Sequence, residues 1–273
     1  MLRPVTGDAE LRQVDQLLQL AYQSPSRLRE LALYHAAPPA GLFAILDQGV
    51  PVAAAGIFGY GPFSWLGLVG AHPAYARQGL ATRLSEHLLD WSGQQGCVTV
   101  ALDASGKGRP VYERLGFQPA GEAIELVAAG PDKTSAVSPG GSPGGAVTDV
   151  LDFDRPVFGA DRSALLRALA ADGSRIYRHY AADRLAGYLF ARDGVLGPGA
   201  ARDPETAAGL AKAALADAPG PVSLIVPAGS AYHETLLGLG LRENRRLTHM
   251  RSGAAHLPGQ RELLLGQTSF AAG

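Results

Sequence analysis

The sequence is poor in the residues that build disulfides and metal centres. It contains one cysteine and seven histidines in 273 residues. A single thiol excludes an internal disulfide, and no HxxxH or CxxC spacing is present, so we predict no metal site. Cys97 lies in the apolar run CVTVAL and is interpreted as a buried structural thiol.

The sequence also has no marked excess of positive or negative charge and no long apolar run. The formal net charge is −1, which argues against a nucleic-acid or anionic-membrane partner. No run approaches the roughly 20 apolar residues of a transmembrane helix, and the N-terminal MLRPVTGDAELRQ lacks the apolar core of a signal peptide. We therefore expect a cytoplasmic location without a membrane partner, and a monomer or homodimer.

The first positive feature is a stretch rich in Gly, Pro and Ser. It includes KTSAVSPGGSPGG, where apolar periodicity stops, and a segment with so little to bury favours a linker. We place this linker at residues 131–146. It divides the chain into predicted domains at residues 1–130 and 147–273.

Apolar periodicity predicts a mixed α/β fold for both domains, each a mixed, mostly antiparallel sheet flanked by helices. The order in the first domain is β-α-α-β-β-β-α-β-α-β, with a strand at FSWLGLVGA and a helix directly after Gly79. In the second domain VTDVLDF is predicted as a strand, ADRSALLRALAA as a helix capped by Asp161, and a later helix as capped by Asp203. We interpret the similar order of predicted strands and helices in the two domains as a degenerate internal duplication.

The loop at residues 76–82 joins a strand to a helix without a bulky side chain at its centre. Backbone N–H groups at a helix N-terminus lack partners within the helix and favour an anion. Gly79 and Ala81 are small where an anion would approach, and Arg77 adds positive charge. The loop is neither GxGxxG nor GxxxxGK[ST], and alone it is also compatible with an ordinary helix start.

A second motif, SGKGRPVYERLGF, begins at Ser105. Pro110 suits a first helical turn and Gly116 the left-handed position that ends a helix. Tyr112 lies between them, either as a functional phenol or as a half-buried core residue.

Together the two motifs resemble the GNAT superfamily of acyl-CoA-dependent N-acyltransferases, over about residues 1–128. The family's loop reads [Arg/Gln]-x-x-Gly-x-[Gly/Ala], and this register places Ala76, Gly79 and Ala81 at the three named positions. Ala76 departs from the family pattern, which affects one side-chain contact and leaves the backbone amides unchanged.

The resemblance implies an acyl-CoA site between two strands that splay apart, with a β-bulge near the end of the first. Tyr112 is implied as the general acid that protonates the departing sulfur. The implied cofactor-binding residues are Val69, Gly70, Ala71, Arg77, Gln78, Gly79, Leu80, Ala81, Thr82, Ser105 and Gly108.

The general base is not identifiable from the sequence. His72 is the nearest titratable group to the loop, but a His before Pro at this strand end is usually structural in the family. Asp103 lies near the end of the next strand, where we favour a capping role. The acceptor site is implied within residues 20–40, where Tyr22, Tyr34 and His35 are either lining or packing residues.

The second domain lacks the Gly-x-Ala loop, and its corresponding helix begins with Asp203 and Glu205. Because two carboxylates would repel a pyrophosphate, we predict that this domain does not bind coenzyme A. Arg155, Asp161 and Arg162 form either a polar cluster in an acceptor pocket or a salt-bridged helix start.

These features predict an acetyl-CoA-dependent N-acetyltransferase that uses no metal. The acetyl group would pass to a primary amine of a small molecule or protein by direct attack on the thioester. A non-catalytic acyl-CoA or metabolite sensor is the alternative, since the strand FSWLGLVGA, which precedes the loop at residues 76–82, lacks a carboxylate. A transferase of longer acyl groups is a third reading.

Overall fold

The computed structural model describes residues 1–130, 142–143 and 146–273 of the chain. The linker predicted over residues 131–146 therefore lies outside the described residues, except at 142–143 and 146.

Strands and helices alternate along both halves of the chain. The first half contains β1 (Leu2–Pro4), α1 (Gly7–Tyr22), α2 (Leu28–Ala36), β2 (Ala40–Asp47), β3 (Val50–Gly59), β4 (Phe63–Ala71), α3 (Leu80–Gln94), β5 (Thr99–Ala104), α4 (Arg109–Arg114) and β6 (Gln118–Ala128). The second half contains β7 (Ser142–Pro143), α5 (Thr148–Phe158), α6 (Ser163–Ala171), β8 (Arg175–Ala181), β9 (Arg184–Arg192), β10 (Val195–Ala201), α7 (Pro204–Ala216), β11 (Val222–Val226), α8 (His233–Gly238), β12 (Arg242–Ser252) and β13 (Leu264–Gly266).

The chain folds into two compact units. The first unit comprises Met1–Pro119, Met250–His256 and Ala272, and the second comprises Ala120–His249, Leu257–Ala271 and Gly273. These units differ from the predicted domain ranges because β6 pairs with β11 of the second unit from Ile124 to Ala128. The end of β12, from Met250 to Ser252, belongs to the first unit, whereas the rest of that strand belongs to the second.

The sheet of the first unit has the order β1-β2-β3-β4-β5, followed by the end of β12. The pairs from β1 to β4 are antiparallel, and β4 and β5 run parallel. A Cβ built on Gly56 would meet Tyr34 of α2, whereas one on Gly59 would approach Trp91 of α3. Since residues separated by an odd number of positions on a strand face opposite sides, α2 and α3 cover opposite faces of this sheet.

One apolar core of the first unit lies between this sheet and α3. Leu84 and Leu88 of α3 are fully buried against Ile57 and Leu66 of the sheet. Met250, at the end of β12, is fully buried in the same cluster. These buried leucines therefore anchor the helix after Gly79 on the sheet.

The second unit has the order β12-β6-β11-β10-β9-β8-β7, with β13 paired to β10. Its helices and strands follow the same order as those of the first half, as the duplication predicts. The prediction of a strand at VTDVLDF was wrong, because residues 148–158 form α5. The buried positions Val150, Leu151, Asp154, Val157 and Phe158 repeat at helical spacing, and this pattern becomes visible only across Pro156.

In the described part of the chain, none of the helices has the length and apolar character needed to cross a membrane.

Candidate functional site

Strands β4 and β5 separate after three paired residues. Their parallel pairing covers Phe63 to Trp65 of β4 and ends where Trp65 meets Ala101. Beyond this point, Leu66–Ala71 have no strand partner on the β5 side within the described structure. The two strands therefore leave an open edge of backbone N–H and C=O groups.

A β-bulge in β4 accompanies this separation. Gly67 pairs with Gly56 and Gly70 with Ala54, so Leu68 and Val69 oppose the single residue Ala55. Leu68 has a left-handed backbone with φ of +54°. A bulge bends its strand and increases the local twist, and it lies near the end of β4, as the resemblance implied.

The loop after β4 presents a row of unpaired backbone donors. Among the described residues, no acceptor is hydrogen-bonded to the N–H groups of residues 77–82, and the first bond of α3 runs from Arg83 N to Gly79 O at 3.0 Å. Arg77 and Gly79 have φ of +62° and +73°. A Cβ built on Gly79 would meet no atom within 4 Å. The loop therefore leaves space in front of donors that suit a phosphate.

Tyr112 of α4 is 8 % exposed, and its ring packs edge-on against Phe117 at 5.7 Å between centroids. Burial raises the pKa of its phenol above the usual value. Among the described residues, no hydrogen bond to the Tyr112 hydroxyl is found. The phenol is therefore held protonated at neutral pH with its O–H available to donate.

The loop before α4 positions this tyrosine. The Oγ of Ser105 accepts a hydrogen bond from Gly108 N at 3.2 Å, which closes the turn into the helix. A Cβ built on Gly108 would approach the ring of Tyr112, so a glycine at this position leaves room for that ring. The predicted residues Ser105, Gly108 and Tyr112 are thus brought together.

The β4 edge is close to α1 on one face of the sheet. A Cβ built on Gly70 would lie 2.5 Å from Cδ2 of Leu18 and 3.6 Å from Cζ of Tyr22. Burial raises the pKa of the Tyr22 phenol, and the neighbouring phenol of Tyr112 raises it further. The two phenols are therefore close enough to interact electrostatically, near the β4 edge.

Two histidines proposed from the sequence have structural partners. His72 Nδ1 accepts a hydrogen bond from Ala74 N at 3.2 Å and caps the short turn Pro73–Tyr75. His35 Nε2 lies 3.1 Å from the carbonyl oxygen of Val5, which ties α2 to the chain before α1. Asp103 is half-buried within β5, at the second residue from its end. This geometry assigns both histidines to turn and helix positioning.

Sequence reasoning missed one buried polar group on α2. Glu30 of α2 pairs with Arg27 at 3.1 Å, and its Oε1 is buried without a hydrogen-bond partner in the described structure. Its spacing of four residues from Tyr34 was the available signal, because residues i and i+4 share a helix face.

The second unit repeats this strand arrangement with different contents. Strands β10 and β11 pair only from Val195 to Leu196, and β10 carries a bulge directly afterwards. In this unit β13 pairs antiparallel with β10 beyond that point, and Gln267 N donates to Ile225 O of β11 at 2.9 Å. The chain's own segment therefore fills the gap that stays open between β4 and β5.

The N-terminus of α7 is also closed. The carboxylate of Asp203 accepts hydrogen bonds from Thr206 N at 2.8 Å and Thr206 Oγ1 at 3.1 Å, as the predicted cap requires. The backbone bond from Thr206 lowers the pKa of Asp203. A helix end already capped by its own carboxylate disfavours a second anion.

The polar residues proposed near residue 160 separate into two groups. Arg162 is buried and forms a bidentate pair with Asp154 at 2.8 and 2.9 Å. Arg155 pairs with Asp161 on the surface at 2.9 Å, and Asp161 also accepts a bond from Ser163 N at the start of α6. This arrangement corresponds to the salt-bridged helix start.

Within the described ranges, no group of three or more His, Cys, Asp or Glu side chains is placed to hold a metal ion.

Two protein-family models match the chain in tandem. The Acetyltransferase (GNAT) family matches residues 11–117, and an Acetyltransferase (GNAT) domain matches residues 150–266. No curated protein gives a significant match.

Solved structures share the fold over nearly the whole chain. A protein from Pyrococcus horikoshii assigned as an acetyltransferase superposes with a TM-score of 0.83 at 22 % identity, covering 100 % of this chain and 95 % of its own. A tandem GNAT protein from the clavulanic acid biosynthesis pathway has a TM-score of 0.59 at 15 % identity, with 94 % and 99 % coverage. A GCN5-related N-acetyltransferase from Sphaerobacter thermophilus has a TM-score of 0.61 at 16 % identity, with 95 % and 96 % coverage.

Proposed function

Because this chain belongs to the GNAT acetyltransferase family, whose fold implies acyl transfer from acyl-CoA, we propose that it is an acetyl-CoA-dependent N-acetyltransferase. Its acceptor is a primary amine of a small molecule or protein. The first unit carries the single active site of the chain, and no metal takes part.

One observation carries this proposal: the open edge of β4 leads directly into a loop of unpaired backbone donors. The pairing of β4 with β5 ends at Trp65, and the N–H groups of residues 77–82 are unpaired among the described residues. An extended polar arm that ends in a pyrophosphate fits both parts. The arm pairs with a strand edge, and the pyrophosphate binds at a helix N-terminus.

The residues present suit such a molecule. The space in front of Gly79 is open where a Cβ would project, and Arg77 is exposed beside it. Ala76 offers no side-chain donor, so the backbone supplies most of the recognition. Bound acetyl-CoA supplies the activated acyl group.

The chain's own groups perform three tasks in the transfer. The edge at Val69, Gly70 and Ala71 orients the thioester, and one of its N–H groups polarises the carbonyl as negative charge develops on the oxygen. Tyr112 donates its phenolic proton to the sulfur as the C–S bond breaks. The neutral amine forms the new C–N bond, and the proton that its nitrogen releases passes to water, from which the phenol is protonated again. Burial raises the pKa of Tyr112, which keeps that proton in place until it is needed.

Calorimetric titration with acetyl-CoA tests this proposal. We expect a dissociation constant in the micromolar to millimolar range and one bound molecule per chain. We also expect thiol release when a primary amine is added. Absence of binding contradicts the proposal, and two molecules per chain contradict the assignment to a single unit.

The sensor alternative is supported by the lack of a carboxylate on β4. It predicts binding of acetyl-CoA with equally slow thiol release by the wild type and Tyr112→Phe across a broad amine panel. A transferase of longer acyl groups predicts tighter binding and faster turnover with butyryl-CoA or octanoyl-CoA than with acetyl-CoA.

A further inference from the structure

The last turn of α1 lies against the proposed thioester edge at Gly70. A Cβ built on Gly70 would be 2.5 Å from Cδ2 of Leu18, 3.4 Å from Cβ of Ala21 and 3.6 Å from Cζ of Tyr22. These three residues of α1 are spaced i, i+3 and i+4, so they form one face of the helix. That face therefore covers the strand edge directly, because position 70 carries no side chain.

The side chains on this face differ in their accessibility. Leu18 is fully buried, whereas Tyr22 is 37 % exposed. The guanidinium of Arg27 is 5.3 Å from the centroid of the Tyr22 ring, within the range of a cation–π contact. Leu18 therefore fixes the distance between helix and strand, while the Tyr22 ring is held beside Gly70 with part of its surface open to a ligand.

The Tyr22 ring is also close to the gap between β4 and β5. Tyr112 packs in the apolar cluster on the α3 side of the sheet, whereas Tyr22 lies on the side covered by α1. After burial, the neighbouring Tyr112 phenol contributes most to raising the pKa of Tyr22. Side chains on opposite faces can approach in this way because the pairing of β4 with β5 ends at Trp65. The gap therefore lies beside both phenols.

The shape of a thioester determines which phenol its acyl chain approaches. The carbonyl carbon carries the sulfur on one side and the acyl chain on another. With the sulfur at Tyr112 and the carbonyl oxygen at an N–H group of the β4 edge, the chain points away from Tyr112 and toward Tyr22. A chain lengthened by methylene groups then meets the Tyr22 ring, and displacing a packed ring is costly.

We propose that the ring of Tyr22 limits the acyl group to a short chain, so that acetyl-CoA is accepted and long acyl-CoA is excluded. Tyr22 then determines specificity and takes no part in proton transfer. This inference rests on the proposed function and assigns a structural basis to its acyl preference.

Calorimetric titration with free CoA, acetyl-CoA, butyryl-CoA and hexanoyl-CoA tests this role without an acceptor amine. The affinity for each thioester is divided by the affinity for CoA, which isolates the effect of the acyl group. The wild type is compared with Tyr22→Ala, which removes the ring, and with Tyr22→Phe, which keeps it. Leu20→Ala is the matched control, because Leu20 belongs to the same turn of α1 and is 55 % exposed.

We expect the wild type to bind hexanoyl-CoA at least about tenfold more weakly than acetyl-CoA, with butyryl-CoA between them, because added methylene groups overpack a closed site. Tyr22→Ala should bring the affinities for acetyl-CoA and hexanoyl-CoA to within about threefold of each other. Tyr22→Phe and Leu20→Ala should keep the wild-type ratio.

The affinity for free CoA should stay within about twofold of the wild type in every variant, because the proposed contact involves only the acyl group. Tyr22→Leu shortens the side chain and retains an apolar contact with the strand. It should shift the ratio in the same direction as Tyr22→Ala, which provides a second variant if Tyr22→Ala does not fold.

Equal affinities of the wild type for acetyl-CoA and hexanoyl-CoA overturn the inference and leave the proposed function in place. The inference also fails if folded Tyr22→Ala keeps the wild-type ratio, or if it loses affinity for free CoA as strongly as for the thioesters. A wild type that binds neither CoA nor acetyl-CoA contradicts the proposed function itself, and this inference with it.

Discussion

Gly108 lies against the ring of Tyr112: a Cβ built on Gly108 would be 3.3 Å from Cε2 of that ring. The contact is tighter than most, so a larger side chain must displace the ring. This relationship links the loop before α4 to the position of the phenol.

Replacing Gly108 by Val should therefore misplace the proposed general acid. We expect kcat for amine acetylation to fall by about tenfold or more, because small misplacements of a reacting group are costly. Gly106→Val is the control, since a Cβ at Gly106 meets no atom within 4 Å. Steady-state thiol release checks both variants, and equal rates would separate Gly108 from the chemistry.

Replacing Tyr112 by Phe removes the proton donor and keeps the ring packing against Phe117. We expect kcat to fall by about 10²–10³-fold, the range of a lost general acid, with little change in acetyl-CoA affinity. Tyr180→Phe, on the exposed end of β8, should leave the rate unchanged. A kcat close to that of the wild type would exclude Tyr112 as the acid.

The pH dependence of kcat also tests the role of Tyr112. Burial raises the pKa of Tyr112 above its usual value. A raised pKa means that the phenol stays protonated to higher pH than an exposed tyrosine. We therefore expect the wild-type kcat to show no fall from this group at or below about pH 10, the ordinary tyrosine value. A fall near neutral pH that disappears in Tyr112→Phe would contradict this expectation.

Replacing Gly79 by Val should abolish acetyl-CoA binding by filling the space before the unpaired donors. Backbone strain alone also destabilises this variant, because φ is +73°. Gly96→Val shares the strain, with φ of +78° and no atom within 4 Å of its Cβ, but follows the far end of α3. Calorimetry and thermal unfolding separate the effects: both variants should lose stability, and only Gly79→Val should lose binding.

A substitution at Gly197 tests the packing of β10 against the segment that contains β13 and Gln267 in the second unit. Gly197 has φ of +129°, and a Cβ there would overlap the carbonyl oxygen of Gln267. We expect Gly197→Ala to lower stability by about 3 kcal/mol or more. Gly209→Ala, within α7 and free of contacts at its Cβ, should raise it by about 1 kcal/mol. Thermal unfolding of the two variants would refute this account if both shifted in the same direction.

Local patterns predicted most of the elements because the residues that determine them are close in sequence. FSWLGLVGA forms β4 at Phe63–Ala71, and Asp203 caps α7 as its position before Pro204 suggested. The helix α5 was missed because Pro156 interrupts its apolar pattern, although the helix continues through that residue.

Long-range relationships could not be predicted in the same way. The periodicity of AIELVA indicates a strand but carries no information that it pairs with β11 rather than with a strand of its own half. Glu30 was overlooked because the burial of its carboxylate oxygen depends on the packing of α2. The family motifs located Gly79 and Tyr112 because those residues are fixed by short loops.

The first unit combines residues from both ends of the chain, and this affects how the unit forms during synthesis. Met250 is buried in the core formed with α3, and Ala254 N donates to Oγ1 of Thr99 at the start of β5. A growing chain therefore carries the loop at Gly79 and the phenol of Tyr112 long before the ribosome has made the strand that completes their unit. The first unit is therefore incomplete until the end of β12 has been made, so a premature stop before Met250 removes a core residue from the N-terminal half as well as the C-terminal residues themselves.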